Sequence, residues 1–366
     1  MANSTPATKE NGTTARRAGA SLSGDELQRI LRAHELFLQH PAKGTRAVLV
    51  SQRLPGVDLS NRLLSKADLS GTTLSRANLK FVNLSGATLY CCEMRDVDGR
   101  YANFCSADMR GVALNGSNLS HARLDGADFR AGRLLNSSDT GAGVVIDRNG
   151  SAAGVDFSYC SLNGATFQGA DLKGADFTGA IIVGTKFKGA RMENTTFTRA
   201  ILTDIDLADI ALPASAFKDC VFPPSKHAID AKPQIMFRLN AHQRWIDSNA
   251  RMGACAVIDG ADLRPLADAM GKFKLTAISA REVIAPGVDF SCTELQGANF
   301  ENADLRGASF EGSDLRGVKF RGALLHHAKF LGADMRPLAL KTGDLLACDL
   351  TGAGLTADQR AEAILA

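Results

Sequence analysis

Ala67-Asp68-Leu69-Ser70-Gly71 is the stretch that decides the fold, because most of the chain repeats its pattern. A Leu, Phe or Met returns every fifth residue, with a small residue two places before it and often Asp or Asn one place before it. A helix repeats its apolar residues about every 3.6 positions and a half-buried strand every second position, so a period of five indicates neither. The pattern recurs in Ala77-Asn78-Leu79, Ala107-Asp108-Met109, Ala127-Asp128-Phe129, Ala170-Asp171-Leu172, Ala298-Asn299-Phe300 and Ala303-Asp304-Leu305.

The five-residue period predicts an all-β solenoid in which each unit forms one side of a coil and then turns. The large residue at the centre of a unit and the small residue two places before it point inward, while the other three positions face water. Four such sides close a square coil, and stacked coils hydrogen-bond at a spacing of about 4.8 Å. This arrangement predicts a structural core that includes Leu69, Leu172, Phe177, Phe300 and Leu305.

Long runs of the form A-(D/N)-L-x-x, as in Ala67-Asp68-Leu69, resemble the signature of pentapeptide-repeat proteins. The resemblance covers most of the chain. It implies a right-handed quadrilateral β-helix, and it suggests a bacterial protein. In some relatives of this family a C-terminal element pairs two solenoids, so the resemblance also leaves a homodimer open.

Two segments outside the repeats read as helices that cover the ends of coils. Residues 21–46 are predicted as an N-terminal capping helix, with a capping-box pattern at Ser23 and an apolar stripe that includes His34 and Phe37. Residues 225–255 look like a second copy of this segment, with His242 and Trp245 in the corresponding stripe. We therefore predict two modules, each a capping helix followed by a β-helix. A partner-binding role is the alternative for the first helix.

The remaining boundaries follow from the register of the repeats. A missing apolar centre at Gly99 predicts a bulge or an exposed turn. The last array is read as regular through Leu340 and Leu345. The predicted parts are a disordered tail over 1–20, a pentapeptide β-helix over 47–134 continued over 155–224, a second β-helix over 256–355 and a C-terminal capping helix over 356–366.

Residues 135–154 break the register and are predicted to form a loop or short hairpin that projects from the solenoid wall. Asn149-Gly150 is a favoured hairpin turn and follows a β-branched run. Excursions of this kind often carry the binding function of a solenoid. The candidate interaction residues are Val145, Asp147, Arg148 and Asn149, although an insertion without any role is an equal alternative.

The residues offer no chemistry that indicates an enzyme, a cofactor or a metal. The formal net charge is +3 with acids and bases interspersed, so direct nucleic-acid binding is not expected. No apolar run approaches the length of a membrane span. His326-His327 is expected to face outward. Four cysteines occupy the inward small-residue position and favour reduced thiols and a cytoplasmic location: Cys92, Cys160, Cys220 and Cys348.

The sequence is compatible with two functions. The first is a non-enzymatic scaffold for protein–protein interaction, with an unknown protein partner, which is typical of repeat solenoids. The second rests on the family resemblance, since some pentapeptide-repeat proteins imitate B-form DNA and bind DNA gyrase or topoisomerase to give quinolone resistance. DNA mimicry needs a strongly acidic wall, and bases such as Arg76, Lys80 and Arg110 make the predicted walls near neutral.

Overall fold

The computed structural model describes residues 22–137 and 143–365, so the predicted tail over 1–20 lies outside the described residues. No helix among the described residues is both long and apolar enough to cross a membrane. The helices and strands are α1 (Gly24–Gln39), β1 (Gly132–Ser137), β2 (Gly143–Arg148), β3 (Ile181–Val183), β4 (Ile201–Thr203), α2 (Lys226–Asp247), α3 (Ala267–Met270), β5 (Leu338–Ala339), β6 (Leu345–Leu346) and α4 (Ala357–Glu362).

Most of the chain is wound into coils of twenty residues. Parallel β-bridges join residues twenty positions apart, as in Val48 to Asp68 and Asp68 to Thr88. Bridges of this kind occur at every fifth residue, so each coil contributes one bridging residue to each of four ladders. Four five-residue units therefore make one turn of the chain, and each unit pairs with the unit directly above it.

Each unit ends in a tight turn that brings the chain around a corner. In one such turn the N–H of Ala67 donates to the carbonyl of Leu64 at 3.1 Å, and Lys66 between them has a φ of 63°. A hydrogen bond across four residues with a left-handed third residue is the geometry of a type II turn. Glycine suits this third position, which explains the many glycines at five-residue spacing, but Phe81 and Tyr101 also adopt it.

Most of the predicted centres fill the interior of the coils. Leu69, Leu172, Phe177, Phe300 and Leu305 are all fully buried. Phenylalanines in successive coils stack on one another, so apolar contact runs along the axis as well as across it. Ring centroids lie 4.9 Å apart for Phe157 and Phe177, and 5.8 Å apart for Phe300 and Phe320.

The buried residues form two separate apolar clusters. One runs from Leu27 to Ile210 and the other from Ile235 to Met335. We call residues 22–224 the first module and residues 225–365 the second module. Each module begins with a helix that contributes apolar residues to the cluster of that module. Helix α1 contributes Leu27 and Leu31, and α2 contributes Ile235 and Leu239.

The two helices place a histidine in the same environment. The N–H of Ala47 donates to Nδ1 of His34 at 3.0 Å, and the N–H of Ala256 donates to Nδ1 of His242 at 3.1 Å. An accepting nitrogen carries no proton, so both rings are neutral, and burial lowers the pKa of each below its ordinary value. Each ring stacks on the aromatic residue three places later, which is Phe37 or Trp245.

The bulge expected at Gly99 does not occur. The N–H of Gly99 donates to the carbonyl of Asn118 at 2.7 Å, as the centre of a regular unit does. A Cβ atom on Gly99 would come within 2.5 Å of Leu119 Cδ2. The coil keeps its register because Leu119, in the next coil, occupies the space that the missing side chain leaves.

The excursion predicted at 135–154 begins earlier, at Gly132. Strands β1 and β2 pair as an antiparallel hairpin, and Leu134, predicted as the last centre of the first array, lies in this hairpin opposite Ile146. Ala152 takes the vacated centre and is buried. The bridge from Ala113 to Ser151 joins residues 38 positions apart instead of 20, so the hairpin adds 18 residues to one coil.

The end of the predicted 155–224 array is also less regular than expected. Leu207, predicted as a centre, is 46% exposed and begins a 3-10 helix, Leu207–Asp209. The carboxylate of Asp206 accepts a hydrogen bond from the N–H of Ala208 at 2.9 Å, which favours this local turn over a coil side. A second 3-10 helix follows at Ala214–Phe217.

The predicted 256–355 array is interrupted after Met335. Strands β5 and β6 pair as an antiparallel hairpin, and Leu345, predicted as a centre, is 70% exposed. The bridge from Lys319 to Asp349 spans 30 residues instead of 20. Ten extra residues equal two whole units, so the apolar spacing continues through the hairpin and the sequence carries no sign of it.

Helix α4 forms one side of the last coil. The side-chain amide of Gln359 donates to the carbonyls of Leu325 at 2.9 Å and Ala328 at 2.7 Å. The chain then bridges from Asp334 to Ile364. The segment predicted as a terminal cap is therefore built into the coil.

Candidate functional site

The two modules lie side by side and run in opposite directions. Residues that come later in the second module contact residues that come earlier in the first module. Arg264 donates to the carbonyl of Phe222 at 2.6 Å, Arg306 to that of Gly179 at 3.3 Å, and His327 to that of Tyr159. We call this contact the module junction. The coils of the two modules therefore do not continue along a common axis.

Arg306 is the charged residue at the centre of the module junction, and its side chain is only 3% exposed. Two of its nitrogens bind the carboxylate of Asp304, and the third donates to the carbonyls of Arg199 and Gly179 in the first module. Charge-assisted and bidentate hydrogen bonds are the strongest class in proteins. The ion pair thus lets an Arg side chain cross the junction without an unpaired charge.

An apolar strip on the first module lies beneath Arg306. Ile181 and Ile201, in β3 and β4, occupy the position before the centre that elsewhere holds Asp or Asn, and both are buried. A Cβ atom on Gly307 would lie 3.4 Å from Ile181 Cδ1, so a glycine allows close approach of the second module. The apolar residues at these outward positions were the sequence signal for the junction, and sequence reasoning missed it.

Aromatic side chains form an outer column on the same side of the first module. Phe81, Tyr101, His121 and Tyr159 occupy equivalent turn positions in successive coils, and their rings stack at 5.0, 4.7 and 5.1 Å between centroids. His326 of the second module stacks on this aromatic column, 4.4 Å from Tyr159 and 5.6 Å from His121. The column therefore ends inside the module junction.

His326 and His327 are expected from the sequence to face outward, but both are half-buried between the modules. A backbone carbonyl only accepts hydrogen bonds, so Nε2 of His327 carries the proton that it donates to Tyr159. Burial, reinforced by His121, His327 and Arg306, lowers the pKa of His326 to about 4. Burial also lowers the pKa of His327.

A cleft of about 970 Å³ opens beside these contacts. The carboxylate of Asp125 in its wall accepts hydrogen bonds from the hydroxyl of Ser161 at 2.6 Å and from the N–H of Asn163 at 2.9 Å. The other charged groups that line the cleft are of both signs and include Arg123, Lys329, Glu311, Asp358 and Glu362. This mixture gives the cleft no preference for a small ion of either charge.

The predicted interaction segment is anchored at its base. Arg148 donates to the carbonyl of Cys91 at 3.2 Å and forms an ion pair with Glu93. The hydroxyl of Tyr90 hydrogen-bonds the backbone of Arg133 on the other strand. Both strands of the hairpin are thereby fixed to the wall of the first module.

The four candidate residues have different placements in this hairpin. Arg148 holds the base, while Asp147 and Asn149 are exposed. Asp147 pairs with Arg133 at 3.0 Å across the two strands. Val145 lies in β2 opposite Leu135, and its side chain lies outside the described part of the structure.

The inward cysteines act as hydrogen-bond donors. The thiol of Cys92 lies 2.9 Å from the carbonyl of Leu69, and that of Cys160 lies 2.9 Å from the carbonyl of Leu119. Thr195 makes the same bond from the equivalent position in another coil. Burial raises the pKa of Cys92 to about 12, so this thiol stays protonated.

An Asp and an Arg on either side of a centre form an ion pair that recurs on the walls. Asp108 binds Arg110 at 2.8 Å, and Asp314 binds Arg316 at 2.6 Å. The same Asp-x-Arg pairing, which sequence reasoning also missed, occurs at Asp98–Arg100, Asp128–Arg130, Asp262–Arg264, Asp304–Arg306 and Asp334–Arg336. These pairs cancel acidic charge on the walls.

The comparison with protein families agrees with this architecture. The family model described as pentapeptide repeats matches in eight copies, over residues 53–89, 100–134, 153–189, 286–322 and 303–336. These five-residue repeats, wound into coils of twenty residues, make the chain a repeat protein. The chain therefore contains the repeats that characterise pentapeptide-repeat proteins. The comparison with curated proteins gives no match.

Solved structures of pentapeptide-repeat proteins are similar to this chain. One, from the thylakoid lumen of Arabidopsis thaliana, is 24% identical over 33% of this chain and 64% of its own length, with a TM-score of 0.21. This chain thus spans less than two thirds of that protein. Full-length QnrB1, a plasmid-mediated fluoroquinolone resistance protein, is 19% identical over 52% of this chain and 91% of its own, with a TM-score of 0.22.

A third similar structure is HetL, a protein involved in heterocyst differentiation regulation in the cyanobacterium Nostoc. It is 17% identical over 84% of this chain and 97% of its own length, with a TM-score of 0.16. At these identities and TM-scores, none of the three structures indicates the function of this chain.

Proposed function

We propose that the protein is a non-enzymatic scaffold that holds a protein partner against the β1–β2 hairpin. The observation that carries this proposal is the way the first module accommodates the hairpin. Eighteen residues leave one coil, and the chain then returns in register, with Ser151 bridged to Ala113 below it. The hairpin is therefore an added element on an otherwise continuous wall.

The wall provides dedicated contacts for this hairpin. Cβ atoms on Gly111 and Gly132 would come within 2.8 Å and 2.7 Å of Cys91 Sγ, so two glycines allow the strand to approach the coil. Together with the hydrogen bonds of Tyr90 and Arg148, these contacts set the orientation of the hairpin. A preorganised hairpin loses little conformational entropy when a partner binds.

The exposed groups near the anchored base suit a protein surface. Asp147, Arg133 and Asn149 face solvent and offer charged and amide groups. Val145, Asp147, Arg148 and Asn149 remain the proposed interaction residues. In this proposal Asp147 and Asn149 contact the partner, whereas Arg148 orients the hairpin.

The walls argue against DNA mimicry as the function. A phosphate mimic needs uncompensated carboxylates, whereas the Asp-x-Arg pairs place a guanidinium on each of seven carboxylates. The formal net charge of +3 also opposes it. We therefore retain the scaffold and propose no binding to gyrase.

We infer that the coils are right-handed and square, and that α1 and α2 act as capping helices. Their support is the matching placement of His34 and His242 and the apolar contacts of each helix with its own module. Buried, protonated thiols favour a reducing cytoplasm, and the family resemblance favours a bacterial one.

Deleting residues 132–149 is expected to leave the fold intact and abolish partner capture. The deletion joins Ala131 to Gly150 and restores a twenty-residue coil, so the far-ultraviolet circular dichroism per coil should not change. A deletion of 337–346, which removes the β5–β6 hairpin and also restores a regular coil, is the matched control.

The partner is sought by affinity capture from native lysate, with proteins identified by mass spectrometry. The scaffold proposal expects a protein that is retained by the full chain and by the 337–346 deletion but lost with the 132–149 deletion. Equal capture by all three chains, or none by any, would overturn the role of the hairpin. Loss of the circular dichroism signal in the 132–149 deletion would show that the coil does not close between Ala131 and Gly150.

A further inference from the structure

We propose that the second module is held on the first by a histidine lock, formed by His326 and His327, that acid releases. The two imidazoles hold the module junction while they are uncharged, and protonation separates the modules without unfolding either one. This device is independent of the proposed scaffold function.

His326 is the member of the lock that stacks. Its ring lies against Tyr159 and His121, and its Nδ1 is buried without a hydrogen-bond partner among the described residues. A proton added to Nδ1 would find no acceptor there. The charged ring would also lie near Arg306 and His121, while the one neighbouring carboxylate that favours it, Asp304, is already bound by Arg306.

His327 is the member of the lock that forms a hydrogen bond. Its Nε2 donates to the carbonyl of Tyr159, which leaves Nδ1 as the nitrogen that would take up a proton. The charged groups that face it are Asp125, which favours protonation, and Arg123 and His121, which oppose it. Asp125 already accepts from Ser161 and Asn163, and the net effect of the site disfavours the charged ring.

Acid weakens the docking of the second module on the first. In the docked state the pKa of His326 lies at about 4, below its ordinary value of 6.5, because the docked site disfavours the charged form. A released second module returns the ring to water and to its ordinary value. Docking is therefore fully favoured above pH 6.5 and weakens as the pH falls toward 4, by up to about 300-fold for this one group. His327 shifts in the same direction and adds to the effect.

Low pH can also unfold the modules themselves, so an experiment must distinguish unfolding from separation of the two modules. His34 and His242 are buried and neutral, and their protonation would destabilise the helix that each belongs to. The proposed release changes the shape of the molecule but leaves its hydrogen-bonded coils intact. A hydrodynamic measurement and circular dichroism on the same samples distinguish the two events.

The first test follows the sedimentation coefficient of the full chain from pH 7.5 to pH 4.5. The lock predicts a fall in the coefficient below pH 6.5, at pH values where the circular dichroism signal is unchanged. His326→Phe keeps a ring in the stack but cannot be protonated, so its transition should move to lower pH. A constant coefficient throughout the range in which the coils stay folded would overturn the lock.

The second test imitates the charged state at pH 7.5 and so avoids acid altogether. His326→Lys places a permanent charge in the stack, and it should sediment at neutral pH as the wild type does in acid. His40→Lys, at an exposed position next to α1, is the matched control and should remain compact. A compact His326→Lys variant would overturn the proposal even if the wild type unfolds in acid before it opens.

Discussion

Replacing Leu172 by Asp is expected to lower the free energy of unfolding of the first module by at least about 4 kcal/mol. Leu172 is fully buried, its N–H donates to the carbonyl of Arg191 at 2.8 Å, and its own carbonyl accepts from Thr195. The substitution removes apolar contacts and places a carboxylate inside the buried apolar cluster of the first module. Urea denaturation followed by circular dichroism measures the loss.

The neighbouring residue gives the control for this prediction. Lys173 faces outward and pairs with Glu193 at 3.5 Å on an exposed wall. Surface ion pairs contribute little to stability, so Lys173→Ala should change the free energy of unfolding by less than about 1 kcal/mol. An unchanged midpoint for Leu172→Asp, or equal losses for the two variants, would show that the inward assignment of the centres is wrong.

Replacing Arg306 by Met is expected to cost roughly 3–5 kcal/mol at the module junction. The change removes the one cation that pairs among the described residues with the carboxylate of Asp304, whose side chain is only 13% exposed, together with the donor to Arg199 and Gly179. An uncompensated charge between two packed surfaces is more costly than the loss of an exposed pair. Sedimentation velocity should show an extended molecule, while circular dichroism shows folded coils.

The same Asp-x-Arg unit occurs on a free wall and provides a matched variant. Arg316 binds Asp314 in the same geometry, but its side chain is 36% exposed. Among the described residues, none of the hydrogen bonds of Arg316 reaches the first module. Arg316→Met should leave the molecule compact. If Arg306→Met also stays compact and equally stable, the junction does not depend on this side chain.

The repeat itself could be predicted from sequence because its cause is local. Each five-residue unit carries its own inward residues and its own turn. The burial of Leu69 and Phe300 could therefore be predicted from the neighbouring sequence, without any information on distant contacts. The β1–β2 hairpin was visible because 18 residues shift the five-residue register. The β5–β6 hairpin was not, because its ten residues preserve that register and Leu345 looks like another centre.

The module junction could not be predicted in the same way, because it depends on how two coils pack against each other. Ile181 and Ile201 stand where Asp or Asn is usual, but twenty residues separate them and only the coil makes them neighbours. The aromatic column has the same character, since Phe81, Tyr101 and His121 align only once the length of a coil is known. Long-range packing of this kind leaves a weak trace in a single sequence.

Small-angle X-ray scattering of the full chain at pH 7.5 tests the side-by-side arrangement of the modules. At about 4.8 Å per level, the ladder from Leu63 to Val221 makes the first module about 35 Å tall, and a coaxial second module would add about 20 Å. We predict a scattering profile that fits two modules packed laterally at Arg306 and His326. A profile that fits one continuous rod, with the modules end to end, would show that the lateral packing is wrong.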